Sequence, residues 1–164
     1  MAEFQAIEMS ASTELLGRLR HVLALHGILP EAVLKAESFD DLRRELTVSD
    51  EILADSLASC LALPRISYDD LRKYRAEVGL FSTRFLREAR LYPFALVDGA
   101  PALALCEPPA ATVIRSAELI FQKQPRLFIA GRDAIEALLA EETRDRDEWE
   151  SSGGTANVPL DDID

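Results

Sequence analysis

Leu91-Tyr-Pro-Phe-Ala-Leu-Val-Asp-Gly-Ala-Pro-Ala-Leu-Ala-Leu-Cys-Glu-Pro-Pro109 leads into a helical run ending at Phe121. Arg126-Leu-Phe-Ile-Ala-Gly131 and a second helical run to Leu139 follow. Asp98-Gly99 between two apolar runs predicts a hairpin closed by a type I′ turn, which needs positive φ at both central residues. Pro93 and Pro101 have no amide hydrogen for a ladder, so they are expected at strand ends or on an edge, in a small sheet. Pro108 and Pro109 suit the start of a helix, where a missing amide hydrogen costs nothing. Val113, Ala117, Ile120 and Phe121 then share one helical face. Leu127 to Ala130 reads as a short buried strand, Gly131 as a turn, and Ala134, Ile135, Leu138 and Leu139 as the next apolar face. The stretch predicts a β-β-α-β-α unit.

Working outward from it, Ser82 is the expected cap of a helix over Arg84 to Ala89 that runs straight into the first strand. Ser67, followed by Asp69 and Asp70, starts a helix of about two turns, and Arg65 to Ser67 is extended after the break at Leu63-Pro64. Residues 13–62 predict a small helical bundle. Its first helix carries Leu15, Leu16, Leu19, Val22, Leu23 and Leu25 and ends at Gly27 in the left-handed position. A second starts at Pro30 and packs Val33 and Leu34. A third is spaced by Phe39, Leu42 and Leu46, with Asp40 and Asp41 at its positive end. Ser49 caps a fourth, carrying Ile52, Leu53, Leu57 and Leu61. Met1 to Ser12 has no usable periodicity and is expected as a flexible end. After Glu141 the apolar content collapses, so 141–164 is expected as an acidic flexible linker. The fold class is α+β: a small N-terminal helical bundle (13–62), then a compact α/β domain (63–140) with a small sheet.

Charge narrows the function. The net charge is −11, and residues 141–164 hold nine acids against Arg144 and Arg146, which leaves −4 on the rest. Nucleic acid is an unsuitable partner, because phosphate contact needs concentrated Lys and Arg. No window is long and apolar enough for a membrane span, and no secretory signal opens the chain. Arg65, Arg72, Lys73, Arg75, Arg84, Arg87 and Arg90 form one basic concentration, seven of the 18 basic residues within 26 positions. A solvated surface with local ion pairs explains it simply. The functional reading is a docking face for an acidic partner or an adjoining domain.

Reactive chemistry is scarce. There is no phosphate-loop motif and no G-x-G-x-x-G frame. His21 and His26, five apart on a helix, face different ways and make no metal pair. Cys60 and Cys106 read as buried free thiols. Asp40-Asp41, Asp69-Asp70 and Glu141-Glu142 are neighbours that point apart on a helix, so none makes an acid/base dyad. No serine has a base nearby. No catalytic, metal or cofactor residue is expected in this chain.

Taken together, several patterns make the chain similar to the N-terminal region of GspE-type ATPases of the type II secretion system, with its two successive small domains. Leu61-Ala62-Leu63-Pro64 resembles the family's L-G-L-P step. Pro93, Asp98-Gly99, Leu103-Ala104-Leu105 and Glu107-Pro108 follow its second-module pattern, and Leu127 to Leu139 resembles the closing strand and helix. Pro159-Leu160-Asp161-Asp162-Ile163-Asp164 is similar to the linker into the ATPase core. The resemblance implies a non-catalytic coupling element. The helical part would dock the motor onto the cytoplasmic domain of a GspL-type inner-membrane protein, and the α/β part would join it to an ATPase core, hexameric in the parent. ATP and magnesium are expected only in that core. The location implied is cytoplasmic, peripheral to the inner membrane through the protein partner, with no direct insertion. Candidate partner-binding residues are Leu16, Leu19 and Leu23 on the bundle, with Arg72, Arg75, Arg84 and Arg87.

The same family includes modules that bind cyclic di-GMP through a repeated R-L-G-x-x-L-x-x-x-G-x-[IL] pattern. Here the first copy keeps Arg18, Leu19 and Gly27 but has Arg20 at the inner glycine. A loosely similar second copy at Ser38 to Leu42 has lost both Arg and Gly. Glycine lets backbone approach a ligand, and arginine grips phosphate, so this degenerate motif implies poor binding. A cyclic di-GMP sensor is therefore the alternative reading, alongside the same module attached to a non-ATPase such as a glycosyltransferase.

Overall fold

A computed structural model describes residues 2–25, 35, 37–45 and 49–151. In chain order the elements are helices α1 (Ala2–Leu25), α2 (Phe39–Glu45), α3 (Asp50–Leu61) and α4 (Tyr68–Leu71), then strand β1 (Arg75–Ala76) and a 3-10 turn at Val78–Leu80. Helix α5 (Thr83–Ala89), strands β2 (Leu91–Ala95) and β3 (Pro101–Leu105), helix α6 (Ala111–Phe121), strand β4 (Arg126–Ile129) and helix α7 (Arg132–Ser151) complete it. The mixed α+β class and the β-β-α-β-α order from Leu91 onward are as expected.

The sheet order is β1-β2-β3-β4, antiparallel across the first two pairs and parallel between β3 and β4. Every residue of β2 is buried, so both faces of the sheet are covered. Backbone hydrogen bonds also close its outer edge. Ile66 N–H donates to Ile129 O (2.9 Å) and Ile129 N–H to Pro64 O (2.8 Å), so the extended segment after Leu63-Pro64 pairs along β4. An unpaired edge is a template for aggregation, and this one is occupied.

The hairpin turn differs from the expected one. Gly99 N–H donates to Leu96 O (2.8 Å), and Leu96 N–H to Ala100 O (2.9 Å). Gly99 has φ 84 while Asp98 stays out of the positive region. The loop is therefore the three-residue kind with one glycine in the left-handed position, not the mirror-image turn that needs two. Asp98 acts instead through its side chain, whose Oδ1 accepts from Ala100 N–H at 2.9 Å. Pro101 begins β3 as expected, but Pro93 lies mid-strand, opposite Leu103 on one side and accepting from Glu77 N–H (3.0 Å) on the other. Counting from the Leu96–Ala100 bond, Pro93 falls at a non-hydrogen-bonded site against β3, so its missing amide faces the other way, just past the end of β1. Pro108 and Pro109 precede α6, whose first residue is Ala111.

The main core gathers Leu91, Tyr92, Phe94, Leu103, Leu105, Ile129, Ile135 and Leu138 around the sheet, with Leu57, Leu71, Phe81 and Leu86 from the flanking helices. Tilted and edge-on rings (Tyr74–Phe94 5.3 Å, Phe94–Phe128 5.6 Å, Phe81–Phe121 5.3 Å) fill its rim. On α6, Ala117 is buried as expected, but Ile120 is exposed. A second, smaller core joins Leu16, Leu19 and Leu23 of α1 to Leu42 of α2 and to Leu53 and Cys60 of α3. Helix α3 serves both cores, since its Ala54, Leu57 and Ala58 pack into the main one. The step expected at residue 62 is thus a packed joint. Ala62 makes it by taking φ 55, a left-handed cap where the family's L-G-L-P step has glycine.

Two termini depart from the sequence reading. Residues 2–12, expected as a flexible end, are the first turns of α1. Residues 141–151, expected as linker, are the second half of α7. The reason for the latter is packing on one face: Glu142, Thr143 and Arg146 lie along Val78, Thr83 and Leu86. Tyr68 Oη donates to Glu141 Oε1, tying α4 to the same helix. The helix expected from Pro30, the cap at Gly27, His26 and the tail from residue 152 lie outside the described residues.

Candidate docking surface and helix-to-sheet joint

The basic run separates into an internal strut and an outer face. Arg65 is the strut. It follows the extended step that pairs with β4, which aims its guanidinium back at α3. Nε donates to Asp55 Oδ1 (2.7 Å), Nη2 to Glu51 Oε2 (2.5 Å), and Nη1 to Ile129 O (2.9 Å) and Ile66 O (3.2 Å). One planar fork therefore holds α3 to the end of β4, a task its fixed donor geometry suits.

Arg43 does the same for α2. Its Nη2 donates to Cys106 O at 2.8 Å, just past the end of β3, and its guanidinium lies 5.4 Å over the Phe39 ring. Nη1 stands 3.7 Å from Asp50 Oδ1, an ion pair beyond hydrogen-bond reach. Nε and Nη1 are buried without hydrogen-bond partners. Both parallel strands thus end on a carbonyl gripped by an arginine that also ties to the helical layer, Arg43 from within it and Arg65 from the edge segment. Nothing in local sequence announces these contacts, which span 63 and 64 positions.

Where α3 and α7 begin, two acids meet. Asp133 has its carboxyl held above the usual carboxylate range by hydrogen bonding to and the charge of Asp50, with Glu136 adding and Arg132 opposing. Each acid favours its own helix N-terminus, but together they repel.

The outer face carries the cationic candidates. Arg72, Arg75, Arg84 and Arg87 are all exposed. Arg72 stacks over the Tyr68 ring at 5.5 Å. Arg75 and Arg84 pair locally with Glu77 (2.6 Å) and Glu88 (2.8 Å). Exposed pairs of this kind exchange easily for an intermolecular one, since each contributes only about 0–1 kcal/mol. Arg87 sits in the last turn of α5, next to the negative end of that helix. Lys73 pairs with Asp70 at 2.9 Å, which raises the lysine and lowers the acid from their ordinary values.

The apolar candidates are corrected. Leu16 is 8% exposed, and Leu19 and Leu23 are fully buried, so they form the second core and not a contact patch. A period of three and four marks an apolar face but does not say whether the chain's own helices cover it. Of the degenerate dinucleotide motif, Arg18 is exposed, Leu19 is buried and Gly27 is outside the described residues.

No group of His, Cys, Asp or Glu among the described residues is arranged to hold a metal ion. Cys106 has its thiol pushed up to about 11, mainly by burial, which keeps it in the unreactive neutral form. Burial raises Cys60 too. No helix among the described residues is long and apolar enough to cross a membrane.

Comparisons with known proteins agree with this architecture. Residues 61–148 match the MshEN domain family. The solved N-terminal domain of XpsE superposes with a TM-score of 0.61 at 25% identity, covering 77% of this chain and 94% of that one. A second crystal form of the same domain gives 0.54 at 23% identity, over 85% and 95%. No curated protein matches the chain. The family match starts at the last turn of α3 and ends within α7, so it spans the sheet, its edge segment and the exposed arginines. The chain belongs to the MshEN domain family, as an N-terminal domain of a type II secretion ATPase.

Proposed function

We propose that this domain docks the secretion motor onto the cytoplasmic domain of a GspL-type inner-membrane protein and passes the motion of ATP hydrolysis to that platform. It does no chemistry of its own, works at the inner membrane only through the partner, and hands force to its own ATPase core. The observation that carries the reading is the joint: Arg43 and Arg65 fasten the helical layer to the ends of β3 and β4, so the two packed layers move as one body. A coupling element has to be stiff, and a two-point attachment supplies stiffness that a lone hydrophobic contact does not. The exposed cations Arg72, Arg75, Arg84 and Arg87 supply the docking face, on a chain otherwise acidic. Such a face sets association rate and partner choice more than raw affinity.

The test is binding of the chain to the purified cytoplasmic part of the cognate GspL-type protein. Arg72→Glu with Arg84→Glu is expected to weaken the complex at least tenfold and to flatten its salt dependence, with the fold unchanged. Undiminished binding by that double variant would place the contact elsewhere. No binding by the folded parent chain would sink the docking role.

A further inference from the structure

A cavity of about 370 Å³ opens beyond the carboxyl ends of the two parallel strands, between the last turn of α5 and the first turns of α7. Arg87, Arg90, Arg132 and Glu136 supply its polar groups, and Cys106, Ile135, Leu139 and Ala140 its apolar wall. The outer side of a parallel pair, where strand carboxyl ends meet helix N-termini, is where α/β sheets present ligand sites. The volume is in the range of small-molecule pockets, roughly 300–1,000 Å³.

The charge here runs against the rest of the molecule. Three arginines line the cavity, and Arg43 stands behind it, bonded to the carbonyl of Cys106. Arg132 pairs with Glu136 at 2.8 Å, and Arg90 with Glu107, outside the wall, at a long 3.4 Å. Arg87 makes no ion pair within the described residues, so the cavity keeps a net positive charge. Arg90 holds φ 52 as the left-handed cap of α5, its N–H donating to Leu86 O, and so turns the chain sharply into β2 at the cavity mouth. Arginine is the side chain best matched to the oxygens of a phosphate.

We infer that this cavity binds a phosphate-bearing small molecule, with the phosphate among Arg87, Arg90 and Arg132 and the ester body against Ile135, Leu139 and Ala140. It shares no residue with the degenerate motif at Arg18, Leu19 and Gly27, and only Arg87 with the proposed docking face. The occupant would cross-link α5 to α7, the two helices that flank the proposed docking cations and lead away from the sheet.

The experiment titrates the ¹⁵N-labelled chain with phenyl phosphate, inorganic phosphate and phenol at constant ionic strength. Saturable shifts are expected for the amides of Cys106, Ile135 and Ala140 with both phosphates, at least tenfold tighter for phenyl phosphate, and none with phenol. Arg87→Gln with Arg132→Gln is expected to weaken binding at least tenfold while the spectrum stays dispersed. Arg87→Gln alone, at an exposed position, serves if the pair fails to fold, and is expected to lose about threefold or more. No saturable response to either phosphate would overturn the site. So would shifts spread equally over Arg72, Arg75 and Arg84, or affinity unchanged in the variants. Equal affinity for the two phosphates would overturn the role of the apolar wall.

Discussion

Cys106 shows how one residue reports on everything packed around it. Its thiol is pushed from an ordinary 9.0 to about 11, by burial first and by Glu107, against the opposing pull of Arg43, Arg90 and Arg132. Because the folded value is the higher one, the neutral thiol is favoured by folding. Its contribution is complete below pH 9, where both states are protonated, and is lost as pH rises from about 9 towards 11, where only the unfolded chain ionises. A shift of this size corresponds to an upper bound on the order of 2–3 kcal/mol. Cys106→Ala removes it. We expect the stability advantage of the parent over Cys106→Ala, measured by urea unfolding, to be constant from pH 6 to 8 and to shrink steadily from pH 9 to 11. An advantage that does not change with pH would mean the thiol is not held neutral. Below pH 8, a thiol reagent should label Cys106 only at the rate of unfolding.

Among the elements, α7 tests the physical account hardest, because its second half has a linker's composition. Arg144, Asp145, Arg146, Asp147 and Glu148 offer no apolar period, yet helix continues through them to Ser151. What sustains it is one wetted seam: Glu141 bonded to Tyr68, Thr143 Oγ1 donating to Leu139 O (2.8 Å), and Arg146 close to Gly79. Thr143→Pro should therefore cost about 3 kcal/mol, the usual penalty for proline inside a helix, whereas the same change in a linker would cost almost nothing. Asp147→Ala, on the exposed side, should stay within about 0.5 kcal/mol. Chemical denaturation of the two variants decides it, and a silent Thr143→Pro would return 141–151 to a linker. The same contrast explains what the sequence could and could not reveal. The hairpin and β4 were legible as short apolar runs bounded by Asp98-Gly99 and Gly131, and α6 and the first half of α7 because their apolar residues repeat at three to four positions. Ser49, Ser67 and Ser82 were legible because a cap is local chemistry, and each accepts from the amide three residues on. Helix α1 back to Ala2, and α7 past Glu141, lack that periodicity. Burial of Leu16, Leu19 and Leu23 was invisible because it depends on where α2 and α3 lie, and Arg43 and Arg132 became neighbours of one cavity only through the register of β3 and β4.

At the scale of the whole molecule, the question is whether the arginine joints or the shared core hold the helical layer in place. The two joints differ in a way that fixes the sign of each test. Arg65 gives four hydrogen bonds, and its side chain is 22% exposed; its acid partners are more than half exposed, at 68% and 64%. Removing it strands no buried charge, and Ile129 O keeps the amide of Ile66, so only the bonds are lost. Bonds from a charged donor are each worth roughly 1.5–3 kcal/mol when well buried, and less here because the carboxylates face water. Arg65→Met should cost about 1–2 kcal/mol by that measure. Arg43 is 12% exposed and gives one hydrogen bond, while two of its nitrogens have none. Its desolvation already consumes most of what the Cys106 bond returns, and a hydrophobic replacement of similar shape often breaks even. Arg43→Met should therefore fall within about 1 kcal/mol of the parent, in either direction. Stability alone would make Arg65 the joint that matters. Stiffness is a separate property, and hydrogen exchange reads it directly. In the Arg43→Met, Arg65→Met double variant, amides of α2 and the last turns of α1 should exchange at least tenfold faster, while those of β2 and β3 stay as slow as in the parent. Acceleration shared equally by all four elements would mean that one cooperative core holds the layers, with the arginines incidental. Unchanged exchange in α1 and α2 would mean that Leu53 and Leu57 of α3 suffice, and the two-point attachment would lose its claim to make the domain rigid.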